Sequence, residues 1–555
     1  MYFYLKQEIN NSILEAVKLA FEKKELKENI IPSIEIEEPK IALHGDFSTN
    51  IAMVMAKTQK MPPKKISEII IKNICDKEKK FTKIEVAGAG FINFFINLSF
   101  WYPTLKKIHD YDIKFGSSNL GKGKKVLVEF VSANPTGPIH IGHGRGAAVG
   151  DTIARILSFS GYNVQKEYYI NDSGKQINTL GYSTLLRYRE LFGHSIDFPQ
   201  DCYPADYIKD IALEIKNEKG DSLLYGDEKE NIKYCASFSA KKILDAIRND
   251  LNLFGIEYDN WYSEQSLYDT NKVQTTISYF RDKNIIYEKE GALWFKTSQF
   301  GDEKDRVVVR QNNEPTYFAS DIAYHKDKFD RKFDKIINVW GADHHGYVDR
   351  LAASIEAAGH NKEDFRVVLI NMVNLLRGGI PVAMGKRTGE FVTLRDVMDE
   401  VGTDAARFIF LTRHYESPLD FDLEIATKKN NDNPVFYVQY VHARISSILK
   451  KASEANIVWD ENRVALLNTE EDVKIIKLLA RFPEVVRIAA ECMEPHRITF
   501  YLMELASSFH NYYNKHKVLS EDLTLSNTRL YLMITIKKVI RNGLSLLGVS
   551  APEKM

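Results

Sequence analysis

The stretch Val126–Gly161 reads VLVEFVSANPTGPIHIGHGRGAAVGDTIARILSFSG. Val126–Ser132 is apolar and β-branched, which predicts a buried strand. Ala133-Asn-Pro-Thr-Gly-Pro138 is turn chemistry. His143–Ser160 then carries helical spacing and stops at Gly161, a natural C-terminal cap. His140-Ile-Gly-His143 therefore falls where a parallel strand hands over to the first turn of a helix. Such a junction presents unpaired N–H groups and the positive end of the helix dipole, and it suits a phosphate. The two histidines add side-chain donors, and Gly142 between them lets a ligand come close to the backbone. Plain structural histidines beside a strand end are the alternative.

Outward from that junction the chain alternates between strand and helix. Asn163–Ile170 is strand-like, as are Lys335–Trp340 and Phe365–Asn374, and the helix after Lys335–Trp340 closes at Gly359. This is the doubly wound α/β pattern of a Rossmann-type domain, with ligands expected at the carboxyl ends of the strands. It spans about 120–427, with an insertion at about 175–315 that includes a hairpin-like Glu288–Thr297 segment. Residues 1–115 read as a small α+β domain, from an amphipathic start to the half-alternating Val86–Ile96. Gly116–Lys125 reads as a linker. Residues 428–555 read as an all-α helix bundle, with helical patterns at Val435–Ile445, Asp472–Glu491, Phe500–Leu519 and Ser526–Leu547. Its aromatic stripe, including Tyr437, Tyr440, Phe509 and Tyr513, is expected mostly as bundle core, since base stacking needs exposed rings.

Composition excludes several classes. The chain has 555 residues, 75 basic and 75 acidic, which rules out a generally basic nucleic-acid coat but not a local basic surface. Residues beyond Thr427 carry a modest basic excess, as solvated helix faces also would. The four cysteines are scattered without Cys-x-x-Cys spacing, so a zinc knuckle is not expected and a reducing compartment is. The start lacks the pattern of a signal peptide, and no apolar run approaches a membrane span. A soluble, cytoplasmic monomer without membrane association is expected.

Three further segments carry candidate chemistry. Ala383-Met-Gly-Lys-Arg-Thr-Gly389 is a glycine-flanked loop whose Lys386 and Arg387 can close a cationic clamp over phosphates, or form a solvated basic turn. Asp343-His344-His345 follows a strand and opens a helix. Adjacent helical residues point about 100° apart, the wrong spacing for a zinc pair, so no metal is expected there. Asp343 could instead cap the helix, and His344 could face the cleft. Tyr317 and Asp321 stand at i,i+4, on one face of a helix. A phenol and a carboxylate there, with Glu129 as a second carboxylate, suit a planar guanidinium, although a helix-surface pair is the simpler account.

His140-Ile-Gly-His143 resembles the nucleotide-binding signature of class I aminoacyl-tRNA synthetases. The longer context, Glu129-Phe-Val-Ser-Ala-Asn134-Pro135 before it and Gly144-Arg-Gly-Ala after it, resembles the arginyl-tRNA synthetases in particular. Residues 383–389 align with the second signature of the class, usually Lys-Met-Ser-Lys-Ser. The first lysine is Ala383 here, both serines are replaced, and the second lysine survives as Lys386. The resemblance implies ATP-dependent ligation of L-arginine to tRNA through arginyl-adenylate, with magnesium accompanying ATP. It implies catalytic roles for His140, His143 and Lys386. ATP would meet His140, Gly142, His143, Asp343, Met384, Lys386 and Arg387. Arginine would meet Glu129, Asn134, Tyr317, Asp321 and His344. The N-terminal unit would contact tRNA, and the bundle would bind the anticodon. A non-enzymatic tRNA-binding relative, or a nucleotidyltransferase of the same superfamily, remains open at this point.

Overall fold

The computed structural model describes residues 2–39, 41–382 and 392–555. The chain opens with α1 (Tyr2–Glu22), whose Leu5, Ile9, Ile13, Ala16 and Ala20 form one buried stripe. β1 (Phe47–Thr49), α2 (Ile51–Gln59), α3 (Pro63–Asn73), β2 (Phe81–Ala87) and β3 (Phe91–Ile96) complete the N-terminal unit around an antiparallel β1-β3-β2 sheet. α4 (Pro103–Tyr111) leads out of it.

The expected linker Gly116–Lys125 is not loose: the N–H groups of Ser118, Gly121 and Gly123 donate to the carbonyls of Phe159, Ser160 and Gly161, and the residues just before it are anchored as well. Phe115 is buried and stacks on Phe482, and Asp112 pairs with Arg541 at 2.9 Å and Lys538 at 3.2 Å. Asn542 donates to the carbonyls of Asp112 and Phe115. These anchors act mainly through backbone carbonyls and one ring, so they leave no periodic signal in the sequence.

The central sheet forms from β4 (Lys125–Phe130), β5 (Asn163–Ile170), β6 (Asn260–Ser263), β10 (Lys335–Gly341) and β11 (Phe365–Ile370). Every pair is parallel, in the order β11-β10-β4-β5-β6, with Val128 in register with Ile337 on one side and Lys166 on the other. The order reverses between β4 and β10, the position where doubly wound sheets open a crevice for ligands. α5 (Ile141–Phe159) crosses from β4 to β5. Gly150 permits this close crossing, because a Cβ there would lie 2.4 Å from the Phe130 ring. α6 (Lys175–Glu190), α7 (Asp206–Lys219) and α8 (Glu228–Leu253) stand between β5 and β6. α9 (Gln265–Asp269), α10 (Lys272–Asp282) and the antiparallel strands β7 (Ile286–Lys289), β8 (Ala292–Phe295) and β9 (Arg306–Val309) follow. α11 (Tyr317–Asp330) and α12 (Val348–Ala357) flank β10.

Four expectations change. β4 ends at Phe130, not Ser132, because Val131 and Ser132 turn into the left-handed region at φ of 69° and 42°. α5 begins at Ile141, two residues before the expected start, with His140 as its N-cap. The insertion is interrupted, since β6 inside it is the edge strand of the main sheet. The expected strand Phe365–Asn374 breaks after Ile370, and β12 (Val373–Arg377) pairs with β13 (Ile380–Pro381) and β14 (Leu419–Asp422) in a separate sheet. The break is where Asn371 is pulled aside: its N–H donates to Tyr415 and its carbonyl accepts from Arg145.

α13 (Leu394–Val401), α14 (Thr403–Phe410) and α15 (Leu423–Thr427) lead to the bundle of α16 (Pro434–Glu454), α17 (Glu470–Cys492), α18 (His496–Lys515) and α19 (Leu523–Leu546). Phe509 is core, whereas Tyr437, Tyr440 and Tyr513 are half-buried, with the Arg444 guanidinium over the last two. One apolar core runs from the N-terminal unit through the sheet into the bundle. Among the described residues no helix is long and apolar enough to cross a membrane.

The parts are keyed together at Arg407, which is wholly buried. Its guanidinium donates to Asp151 of α5 at 2.6 Å, to the Phe254 carbonyl at 2.9 Å and to the Leu547 carbonyl at 3.0 Å. Burial raises the Asp151 carboxyl, but Arg407, Arg155 and Lys166 outweigh it and hold it below the usual carboxylate range. Arg407→Met should cost about 3–5 kcal/mol, as breaking one side of a buried pair does. Arg155→Ala, at a partly exposed partner, should cost no more than about 1 kcal/mol. Urea unfolding of the two variants checks the difference. The Asp151 contribution should vanish as pH falls through its depressed native value, because the native state binds the proton less readily than the unfolded chain.

Candidate active site

At the carboxyl end of β4 the helix α5 is capped by imidazoles. His140 Nδ1 accepts the Gly142 N–H at 3.1 Å, and His143 Nδ1 accepts the His140 N–H at 3.3 Å. The arrangement is a capping box with histidine in both places. The rings stack with centroids 3.8 Å apart. Because its Nδ1 accepts, the proton of the neutral His143 ring sits on Nε2. Burial first, then the neighbouring His140, pushes His143 down to about 3. The site thus offers neutral N–H donors beside the positive end of a helix dipole. Gly142 leaves the His140 ring room: a Cβ there would lie 3.0 Å from it, a tight contact that the ring would have to yield to.

The segment after residue 391 returns to the same place. Thr393 bridges His140, Ile141 donates to the Val392 carbonyl at 3.4 Å, and Leu394 donates to the Ile139 carbonyl at 2.9 Å. Met384, Lys386 and Arg387 lie outside the described residues.

A second site lies between β4, β10 and α11. Asp321 sits in α11 beneath the surface, and the Tyr347 hydroxyl donates to its Oδ2. Burial is the main cause that pushes Asp321 up to about 7; Glu264 and Glu129 add to it, while Tyr347 and Lys328 oppose it. Glu264, just past β6, is also buried and raised by burial, and accepts from Ser320 at 3.1 Å. Glu129 takes the Ser132 hydroxyl at 3.0 Å and pairs with the fully buried Lys328. Lys328 also donates to Asn338 at 3.0 Å, Asn338 meets His325 Nε2 at 2.8 Å, and His325 Nδ1 meets the Asp321 carbonyl at 2.8 Å. Burial drives His325 well below its ordinary range, so it is neutral. The buried Glu129 and Glu264 and the half-buried Asp321 thus stand in one region with a single buried ammonium, Lys328, which is paired with Glu129, an imbalance that one bound cation would offset.

The sequence-predicted residues do not all converge. Asp321 is central, but the phenol bonded to it is Tyr347, and Tyr317 is 64% exposed with its hydroxyl over Gly174. The reason is position: Tyr317 opens α11 at the mouth, whereas Asp321 is one turn deeper. The Glu129 charge is already met by Lys328. Asn134 is exposed on the loop after β4 and donates to Gln176 at 2.7 Å. Asp343 and His344 lie exposed, 3.6 Å apart, on a short 3-10 turn at the end of β10. That turn replaces the expected helix start, and α12 begins only at Val348. Among the described residues no group of three or more His, Cys, Asp or Glu side chains is placed to hold a metal ion.

Sequence reasoning missed Tyr347, Glu264, Lys328, Asn338 and His325. One signal was present: Asp321, His325 and Lys328 follow i, i+4, i+7 spacing, a polar stripe on a buried helix face.

Three family descriptions match in order along the chain. "Arginyl tRNA synthetase N terminal domain" matches residues 5–96, "tRNA synthetases class I (R), catalytic domain" matches 104–415, and "DALR anticodon binding domain" matches 438–555. The chain belongs to the arginyl-tRNA synthetase family. An arginine–tRNA ligase of Desulfosudis oleivorans is 56% identical over 99% of this chain and all of its own length. One from Syntrophotalea carbinolica is 50% identical with the same coverage. A Campylobacter jejuni structure bearing the arginyl-tRNA synthetase name is 36% identical, with a TM-score of 0.76 over 83% of this chain and all of that one. The arginyl-tRNA synthetase of Thermus thermophilus shares the fold at 22% identity, with a TM-score of 0.77 over 99% of this chain and all of that one.

The capping geometry makes a prediction. His143 should stay neutral, with Nδ1 unprotonated, between pH 5 and 8 in imidazole nitrogen NMR. Its native value lies below the unfolded one, so protons bind the unfolded chain first. The stability contribution of His143 should therefore be present above about pH 6.5 and decline as pH falls from there toward 3.

Proposed function

We propose that this chain ligates L-arginine to its cognate tRNA using ATP, through arginyl-adenylate. The acidic cluster of Asp321, Glu264 and Glu129 supports this reading most directly, because Glu129 lies near the end of β4, the strand that leads into the helix α5 capped by His140 and His143. A guanidinium is planar, always charged and suited to bidentate carboxylates, and it fills the charge deficit of that pocket.

ATP lies at the N-terminus of α5, where His140 and His143 donate Nε2–H to phosphate oxygens and Gly142 lets the nucleotide approach. Asp343 stands near the nucleotide on the β10 end, and Met384, Lys386 and Arg387 contact the phosphates. Arginine enters with its guanidinium on Asp321 and Glu264, while Tyr317, Asn134 and His344 line the mouth and Glu129 borders the floor. The arginine carboxylate attacks the α-phosphorus in line and pyrophosphate leaves. A ribose hydroxyl at the tRNA 3′ end then attacks the carboxyl carbon and AMP leaves. No protein nucleophile takes part, and catalysis is positioning and charge stabilisation. Magnesium arrives with ATP as part of the substrate. Residues 1–115 and 428–555 hold the tRNA, and the enzyme acts as a cytoplasmic monomer.

Charging of total tRNA with each amino acid in turn tests the reading: arginine alone should be accepted. Charging by another amino acid, or tRNA binding without any charging, overturns it. Asp321→Asn should raise the arginine KM by at least about tenfold, since truncating one partner of a desolvated ion pair costs about 2–5 kcal/mol. The ATP KM should be unchanged, and steady-state kinetics read both. Lys386→Ala should slow pyrophosphate exchange by the equivalent of about 2.7–4 kcal/mol, the usual loss of a transition-state contact, and spare arginine binding.

A further inference from the structure

Burial, Glu264 and Glu129 disfavour the charged form of Asp321, while Lys328 and the Tyr347 hydroxyl favour it; the titratable groups around it come from several elements. From β4 comes Glu129, from the end of β6 Glu264, from β5 the Tyr169 phenol and from α9 the Tyr268 phenol. On its own helix stand Tyr317, the neutral His325 and Lys328, whose ammonium is already committed to Glu129 and Asn338. Among the described residues, Asp321 Oδ2 accepts from Tyr347 and Oδ1 accepts nothing.

Tyr347 is held firmly for this contact. Its ring stands edge-on to Phe318, with centroids 6.2 Å apart at 89°, and 6.3 Å from Trp340. The Arg350 guanidinium lies 4.8 Å from the same ring and 5.9 Å from Phe318. Arg350 and, from β9, Arg306 are the cations that act on the phenol. The packing leaves the hydroxyl directed at one carboxylate oxygen and the other oxygen open to a ligand.

We propose that Tyr347 is a positioning residue for the guanidinium site: its hydroxyl anchors one oxygen of Asp321, holds the carboxyl in its charged form and presents the other oxygen to arginine. This rests on the arginine reading above. A hydrogen bond to a charged acceptor favours the ionised state, and here it is the direct bond that opposes burial and the two neighbouring carboxyl groups. Only ionised Asp321 pairs with a guanidinium, so arginine affinity should rise with pH as Asp321, at about 7, loses its proton.

The test is the arginine KM of the full chain between pH 6 and 8.5, in tRNA charging, for wild type and Tyr347→Phe. Phenylalanine keeps the ring packing and removes only the hydroxyl. The midpoint of the KM rise on acidification should move up by roughly one pH unit. At pH 7 the binding-competent fraction then falls from about a half to about a tenth, and KM rises about fivefold. At pH 8.5 the two enzymes should agree within about twofold, with kcat and the ATP KM unchanged. An unmoved midpoint, or an equal KM increase at every pH, overturns the role of Tyr347. Failure of the wild type to charge arginine at all overturns the arginine reading instead.

Discussion

The buried Asp151–Arg407 pair is the constraint on which the arrangement depends. Asp151 lies in α5, the helix whose first turn carries His140 and His143. Arg407 lies in α14 and reaches the carbonyls that end α8 and α19. One guanidinium therefore fixes the histidine-capped helix against both the inserted helices and the bundle. A buried charge needs all its hydrogen-bond partners, so the geometry has little freedom. Closer to the active end, Arg145 of the same helix is equally buried and donates to the carbonyls of Asn371, His414 and Ser417. Among the described residues it has no carboxylate partner, and burial pushes it down to about 10. α5 is thus pinned near its start and at its middle by arginines that read backbone carbonyls from distant segments.

With the helix fixed, the two halves of the proposed site, one for the phosphates of ATP and one for the guanidinium of arginine, use opposite electrostatics. The phosphate half is built from neutral imidazoles, a helix N-terminus and the chain that bridges Thr393 to His140. Neutral donors stabilise a phosphate without requiring a buried cation in the free protein. The guanidinium half is overcharged in the other sense, with three carboxyl groups against Lys328. Such a pocket is costly until a cation enters, and a neutral side chain of similar length would leave that cost in place. Selectivity for a cationic substrate then follows from the pocket's own desolvation, with shape as a secondary factor.

Much was legible in the sequence. Strand and helix periodicity identified the doubly wound domain, and β5 was expected over the residues it occupies, because its apolar pattern and the bounding Gly161 and Asn171 are local signals. The His140–His143 junction and the bundle helices were readable for the same reason. Asp321 was readable through its spacing on α11, although its apparent partner Tyr317 was not its true neighbour.

What the sequence by itself determined is therefore the set of elements, the kind of fold, the family signature and the residue types able to handle a phosphate and a guanidinium. Tertiary structure alone decided which of those groups meet. Tyr347 reaches Asp321 across 26 positions and Lys328 reaches Glu129 across 199, distances over which no periodicity carries information. The break of the Phe365–Asn374 run, the recruitment of β6 into the sheet and the anchoring of the expected linker have the same origin. Each is set by buried polar groups from remote segments that must find partners once water is excluded, and only the folded arrangement says which partners are within reach.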